Sequence, residues 1–350
     1  MATPFGLFVG VSASLLVSVS VAQAADVIAP KPYCSEALLV QAGGLVDGTS
    51  WNDVGYGSIF KGNDRGSTNW LGGFGEAGVQ VQCGDPWGVQ LDAAYYHFSS
   101  SNDFNDGYTN TDNLSEAHGH IGGVAYKREA NSYMLGLGVS DVMWYDHNTY
   151  PLEPSTYGDM SQSLWRVGPL MQLFVNDQFT LGGGAFYLTG NMNVYSSRLY
   201  SVTGYDGNLF AKFYPAKQWA LTARVDLDHL HYVDNSLSKS YSNMFDTDGQ
   251  VGTLEAEYLI SNSAISLFGG GRLAHQHRAD NSGNTADQSD IQGFAGFRIA
   301  LGSMPITSLR DRDRNGLIDN TSVTLEKIPD LIGGPFDVDP CAARNRANCI

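Results

Sequence analysis

From Tyr33 to Gly302, apolar residues alternate with polar or small ones in twelve stretches, near 34–45, 69–83, 88–98, 114–127, 132–145, 162–175, 179–190, 206–214, 218–232, 249–260, 264–277 and 289–302. A period of two puts successive side chains on opposite faces of a pleated strand, so each stretch predicts a strand. In the last one, Ile291, Gly293, Ala295, Phe297, Ile299 and Leu301 share one face, and Asp290, Gln292, Arg298 and Ala300 share the other. In the second, Leu71, Ala77, Val79 and Val81 oppose Glu76, Gln80 and Gln82. In the ninth, Leu221, Ala223, Val225 and Leu227 oppose Thr222, Arg224, Asp226 and Asp228. One apolar and one charged face suit a closed barrel with lipid outside and water inside. Each run reaches the roughly 9 to 11 residues that a tilted strand needs to cross a bilayer. Trp165, Trp219, Tyr95, Tyr133, Tyr187 and Tyr258 carry the apolar parity, as interfacial girdles require. Asp141 also falls on the apolar face, which predicts a bulge or a shifted register in the fifth strand.

The connections alternate in length. Those at 84–87, 128–131, 176–178, 215–217 and 261–263 are short, whereas 46–68, 99–113, 146–161, 191–206, 233–248 and 278–288 are long, polar and richer in acids than in bases. Short turns on one rim, long loops on the other and an even strand count are the rhythm of a transmembrane barrel. On that pattern the short turns and both barrel ends face the periplasm. The acidic loops face outward, where they stay solvated and suit bridging by divalent cations.

Before the strands, an uncharged apolar run from Phe5 to Val21 leads into Ala22, Gln23 and Ala24, the small-x-small pattern of a signal-peptidase site. Three parts are expected: a signal peptide over 1–24, a barrel over 25–302 and a periplasmic tail over 303–350. Only 16% of the residues are charged, and 41 glycines and 18 tyrosines stand among 350 residues, which argues against a helical bundle, a coiled coil or a disordered chain. The formal charge of -16 speaks against nucleic acid as a partner.

The export signal, the alternating strands, the turn and loop rhythm and the closing strand Gly293-Phe294-Ala295-Gly296-Phe297-Arg298-Ile299-Ala300-Leu301 together resemble the Gram-negative outer-membrane β-barrel proteins, the porin-like class, over about residues 33–302. The resemblance implies an all-β, antiparallel, up-and-down transmembrane barrel of about twelve strands in the outer membrane, in contact with its lipid. It differs in one respect, since many such barrels end on an aromatic residue closing the last strand, and this chain continues to Ile350.

The polar face gathers Arg166, Lys212, Arg224, Arg272 and Arg298 with Glu76, Asp92, Asp226, Glu255 and Glu257. Opposed charges across a lumen can set a transverse field that selects solutes, or they can lock together in a filled barrel. Trp70, Phe74, Phe186 and Phe294 share that face and narrow the bore. Twelve strands lie between packed eight-stranded barrels and open porins, so two functions stand side by side. One is a passive channel for small hydrophilic solutes or ions. The other is a non-conducting structural barrel whose tail docks a periplasmic partner. An enzyme is not expected, because Gly-x-Ser-x-Gly, His-Glu-x-x-His and a phosphate loop followed by Lys are all missing from the sequence.

Four cysteines in an exported chain predict disulfides, with Cys34 to Cys83 at the short-turn rim and Cys341 to Cys349 in the tail preferred. The pairs His118/His120, His229/His231 and His275/His277 read either as paired metal ligands or as rim histidines. In the tail, the run from Asp311 to Asp319 resembles the first part of an EF-hand or thrombospondin-type calcium loop. That resemblance makes Asp311, Asp313 and Asn315 side-chain ligands, Leu317 a carbonyl ligand and Asp319 the closing donor. Ser322 stands where the bidentate Glu belongs, and arginines interleave the acids, so a weak calcium site and a solvated turn both remain open.

Overall fold

Strands with two unlike faces bury neither well as a flat sheet, and closure resolves this by giving every edge a partner. The computed structural model describes residues 34–54, 65–83, 86–100, 114–129, 132–148, 160–194, 198–235, 244–280, 285–302 and 307–319. Twelve antiparallel strands follow in chain order: β1 (Cys34–Val54), β2 (Arg65–Cys83), β3 (Trp87–Ser100), β4 (Leu114–Glu129), β5 (Tyr133–Asn148), β6 (Met160–Asn176), β7 (Phe179–Val194), β8 (Arg198–Ala216), β9 (Trp219–Asp234), β10 (Met244–Leu259), β11 (Ile265–Asp280) and β12 (Thr285–Gly302). Each pairs with its sequence neighbours, and β1 pairs with β12 to close the barrel. A short helix, α1 (Leu309–Asn315), follows.

The strands outrun the alternating stretches that foretold them. Backbone ladders do not depend on lipid, so pairing continues past the apolar band into polar sequence. Two of the six expected long loops shrink as a result, because β7 and β8 leave only 195–197 between them and β11 and β12 leave only 281–284. The 1–24 segment, Cys341 and Cys349 lie outside the described residues. Cys34 and Cys83 face each other across β1 and β2 and form a disulfide.

Outward residues form an apolar wall. Leu91, Leu137, Leu181, Leu209, Leu254 and Ile291 are exposed around its circumference. Trp87, Phe179 and Trp219 mark the short-turn edge of this band, and Tyr95, Trp165, Tyr187 and Tyr205 mark the other. Asp141 sits at that second edge, directly opposite Trp165, and accepts a hydrogen bond from the Ser163 hydroxyl at 2.9 Å. β5 pairs with β4 and β6 without a break through this position, so the expected bulge is absent there. The register irregularities lie at Phe174/Asn176 and Phe213/Ala216, next to short turns. A polar side chain at the headgroup level needs no bulge to be tolerated. A closed barrel with an apolar, aromatic-edged exterior is a transmembrane barrel of the outer membrane.

Inside, side chains fill the bore. Trp144, Leu164, Leu188, Met192, Tyr200, Val202, Leu230, Tyr232 and Phe245 pack together in the long-loop half. Leu45, Trp70, Ala94, Tyr96, Phe98, Phe268 and Phe294 form a second cluster, with Phe74 packed against it. Gly43 makes room for that ring, since a Cβ there would lie 2.6 Å from Phe74 Cζ.

Candidate functional site: the charged lumen and the segment that fills it

The ten charged residues assigned to the lumen from parity all turn inward, and they are drawn into ion pairs and hydrogen bonds. Arg166 is fully buried; its Nε donates to both oxygens of Asp206, at 3.0 and 2.8 Å, and its guanidinium lies 3.2 Å from the centre of the Phe186 ring. Arg224 donates through Nε to both oxygens of Asp226, at 3.0 and 2.8 Å. Arg298 forks onto Glu255 at 2.7 and 2.9 Å and onto Glu257 at 2.6 Å, and its Nε donates to Gln41 at 2.6 Å. Glu76 accepts from Gln41. Asp92 contacts His120 Nε2 at 2.5 Å, and Arg272 donates to Gln292 at 3.2 Å. Bidentate geometry and burial on this scale give a fixed polar layer rather than loose surface pairs.

The short-turn end of this layer is occupied by the chain itself. Residues 307–319, expected in a periplasmic tail, turn back into the barrel. Ser308 caps α1 by accepting from the Asp311 amide, and the Leu309 amide donates to the Lys217 carbonyl at the rim. Leu309 packs with Tyr214, Ala220 and Leu259. Arg310 pairs with Asp177 at 2.9 Å. Arg312 forks onto Glu257, so Glu257 binds Arg298 and Arg312 together. Asp313 accepts from Lys212 at 3.3 Å, from Tyr214 at 3.2 Å and from Arg312. Arg314 is buried and donates to the Phe179 carbonyl at 3.0 Å and to the Asn176 carbonyl.

Beyond the helix the chain extends. Gln80 donates to the Asn315 carbonyl at 3.1 Å and Arg128 to the Gly316 carbonyl at 2.8 Å. Gln90 holds Ile318 by both backbone groups, donating to its carbonyl and accepting from its amide at 2.6 Å each. The Ile318 side chain enters a cluster with Val124, Tyr126, Met134, Leu170, Phe174 and Phe186. Leu317 lies against Gly78, where a Cβ would collide with it, and Asp319 pairs with Arg224.

Electrostatics favour this seating. Burial alone would raise the Asp313 carboxyl, but Arg312 and Lys212 hold it below the usual carboxylate range. Asp311 is likewise pushed up by burial and held low by hydrogen bonds with Thr307, Ser308 and Arg310.

The residues proposed for calcium do not fit the ion. On a helix, positions two apart point about 200° apart, so Asp311 and Asp313 cannot converge. Their carboxylates serve the cap, Arg310, Arg312, Lys212 and Tyr214, while Asp319 serves Arg224. Among the described residues, no three His, Cys, Asp or Glu side chains are grouped to hold a metal. The histidine pairs divide as their parity implies. His118 and His120 face inward against Glu116 and Asp92, while His229, His231, His275 and His277 face outward beside Asp248, Asp246 and Asp287.

Gln80, Gln90, Arg128, Tyr214 and Thr180, whose hydroxyl accepts from Arg314 at 3.3 Å, grip the segment, and the sequence pattern did not single them out for this role. Gln80 stands on the polar face of its stretch, and Arg128, expected in the short connection 128–131, belongs to β4; nothing local to the strands told of an occupant. The arginines interleaved with the tail acids were the signal available, because Arg312 and Arg314 are what the wall binds.

No protein-family model and no curated protein matches the chain. Among solved structures, the translocator domain of the autotransporter NalP from Neisseria meningitidis is similar at 12% identity and a TM-score of 0.45, over 84% of this chain and 94% of that one. An outer-membrane channel from Pseudomonas putida F1 is similar at 11% identity and a TM-score of 0.44, over 79% and 100%. The P. putida toluene transporter TodX is similar at 10% identity and a TM-score of 0.38, over 78% and 90%. At these scores the likenesses lend nothing to a reading of activity, which rests on this barrel's own interior.

Proposed function

We propose that the protein is an outer-membrane channel for small hydrophilic solutes or ions, held shut at rest by its own 307–319 segment. The observation that carries this reading is the chemistry of the seal. Much of its hold is by ion pairs and by hydrogen bonds to backbone carbonyls, and the wall behind it is charged. Water and ions can replace such contacts when the segment leaves, whereas an apolar stopper would expose dry surface to the bore. Glu257 and Arg224, each already shared with a wall partner, keep a counter-ion when the segment departs.

Single-channel recording in a planar bilayer tests this. The full chain is expected to be silent or to open rarely, and Arg312→Ala with Asp319→Ala to give frequent, ion-carrying openings. A folded variant that stays silent after its segment is released would overturn the channel. A specific observation favours the second reading, a permanently closed structural barrel: the apolar cluster around Trp144 occupies the long-loop half, and the one around Phe98 continues inward to Phe268 beneath Arg298.

A further inference from the structure

We infer that the inner wall around Gln80, Gln90, Arg128 and Arg224 is a binding site for an extended peptide, and that residues 316–319 are its resident occupant. This rests on the reading that the segment can leave the bore. The grip addresses the backbone first. Gln90 satisfies the amide and the carbonyl of one residue together, as a neighbouring β-strand would, and Arg128 takes the carbonyl two residues earlier. Gly316 is in extended geometry where it enters this grip. Any non-proline residue offers those two groups, so this part of the site selects for peptide as a class.

Side-chain contacts then narrow the class. Gly78 leaves a space that Leu317 fills, and the cluster of Val124, Tyr126, Met134, Leu170, Phe174 and Phe186 takes Ile318. Arg224, oriented by Asp226, takes the carboxylate of Asp319. The ligand is therefore an extended peptide with two consecutive aliphatic residues followed by an acid. Such a peptide supplied in trans competes with the tail for the wall, and its binding favours the open bore's short-turn end being occupied by the competitor rather than by the chain.

The resident tail competes at an effective concentration of about millimolar, so the test loosens it in the full-length protein. The variant is Arg312→Ala with Ile318→Asp, and the probe is a fluorescent synthetic peptide with the sequence of 307–319. Hydrogen exchange should show 307–319 released in the variant. Continued protection there would mean that these contacts do not make the site, and would overturn the proposal. With the tail released, the peptide is expected to bind saturably. Gln90→Leu in the barrel, or Ile318→Asp in the peptide, should each weaken binding by about tenfold or more. No saturable binding up to about 5 mM, above the effective concentration of the tail, would also overturn it. Failure of the two readings is distinguishable: a variant that conducts but binds no peptide removes only the peptide site, and one that binds peptide but never conducts removes only the channel.

Discussion

Arg166 shows how much depends on one side chain in this wall. Its guanidinium is fully enclosed, with Asp206 on its edge and Phe186 on its face. Removing one partner of a buried pair leaves the other charged and dry, which costs about 3–5 kcal/mol. Arg166→Met should therefore lower stability by that amount in urea unfolding of the detergent-solubilised barrel, and adding Asp206→Leu should recover most of it. A single variant within about 1 kcal/mol of the parent would show that water reaches the pair. Asp141 is the contrary case. It faces outward but stands at the headgroup edge, opposite Trp165 and bonded by Ser163. Charged residues at that depth cost only about 0–1 kcal/mol, so Asp141→Val should shift unfolding by no more than that in either direction. A gain above about 2 kcal/mol would place Asp141 deeper in the lipid than its girdle neighbours imply.

The tail segment behaves as an element whose attachment is set by its charges. Asp311 and Asp313 have carboxyls held below their ordinary value near 3.8 when the segment is seated. A depressed carboxyl contributes stability that is fully present above the unseated value and is lost as pH falls through the seated one. Seating should thus be constant from neutral pH down to about pH 5 and weaken progressively below about 3.8. Hydrogen exchange over 307–319, measured while the strand amides stay protected, checks this; protection unchanged at pH 2 would show that the ion pairs are not what holds the segment. The same charges explain why the calcium reading arose. Acids at alternate positions suit a loop around a cation, but arginines between them also suit a helix that lends one face to Glu257 and another to Asp177.

At the scale of the molecule, the barrel is layered along its axis. The apolar cluster around Trp144 lies towards the long loops, and the tail segment closes the short-turn end, where both ion pairs and the apolar clusters around Leu309 and Ile318 hold it. If the short turns face the periplasm, a membrane-impermeant thiol reagent added to intact cells should label Asn105→Cys in the 101–113 connection and spare Lys217→Cys in the short β8–β9 turn. Labelling of the second alone would invert the barrel. Conductance of the loosened variants then reports whether the layers can part.

Strand positions, the inward and outward faces and the partnership of Cys34 with Cys83 were legible in the sequence, because a period of two is a local property and antiparallel neighbours in chain order follow from short turns. The girdle aromatics and the ten lumen charges followed from the same parity. Where strands end was not legible, since pairing continues wherever two backbones lie side by side, as at 191–194 and 285–288. Nor was the fate of the tail. Whether Arg312 meets water or Glu257 depends on how wide twelve strands make the bore and on which inward side chains stand at one height around it. Those are relations among residues far apart in the chain, and only closure of the barrel creates them.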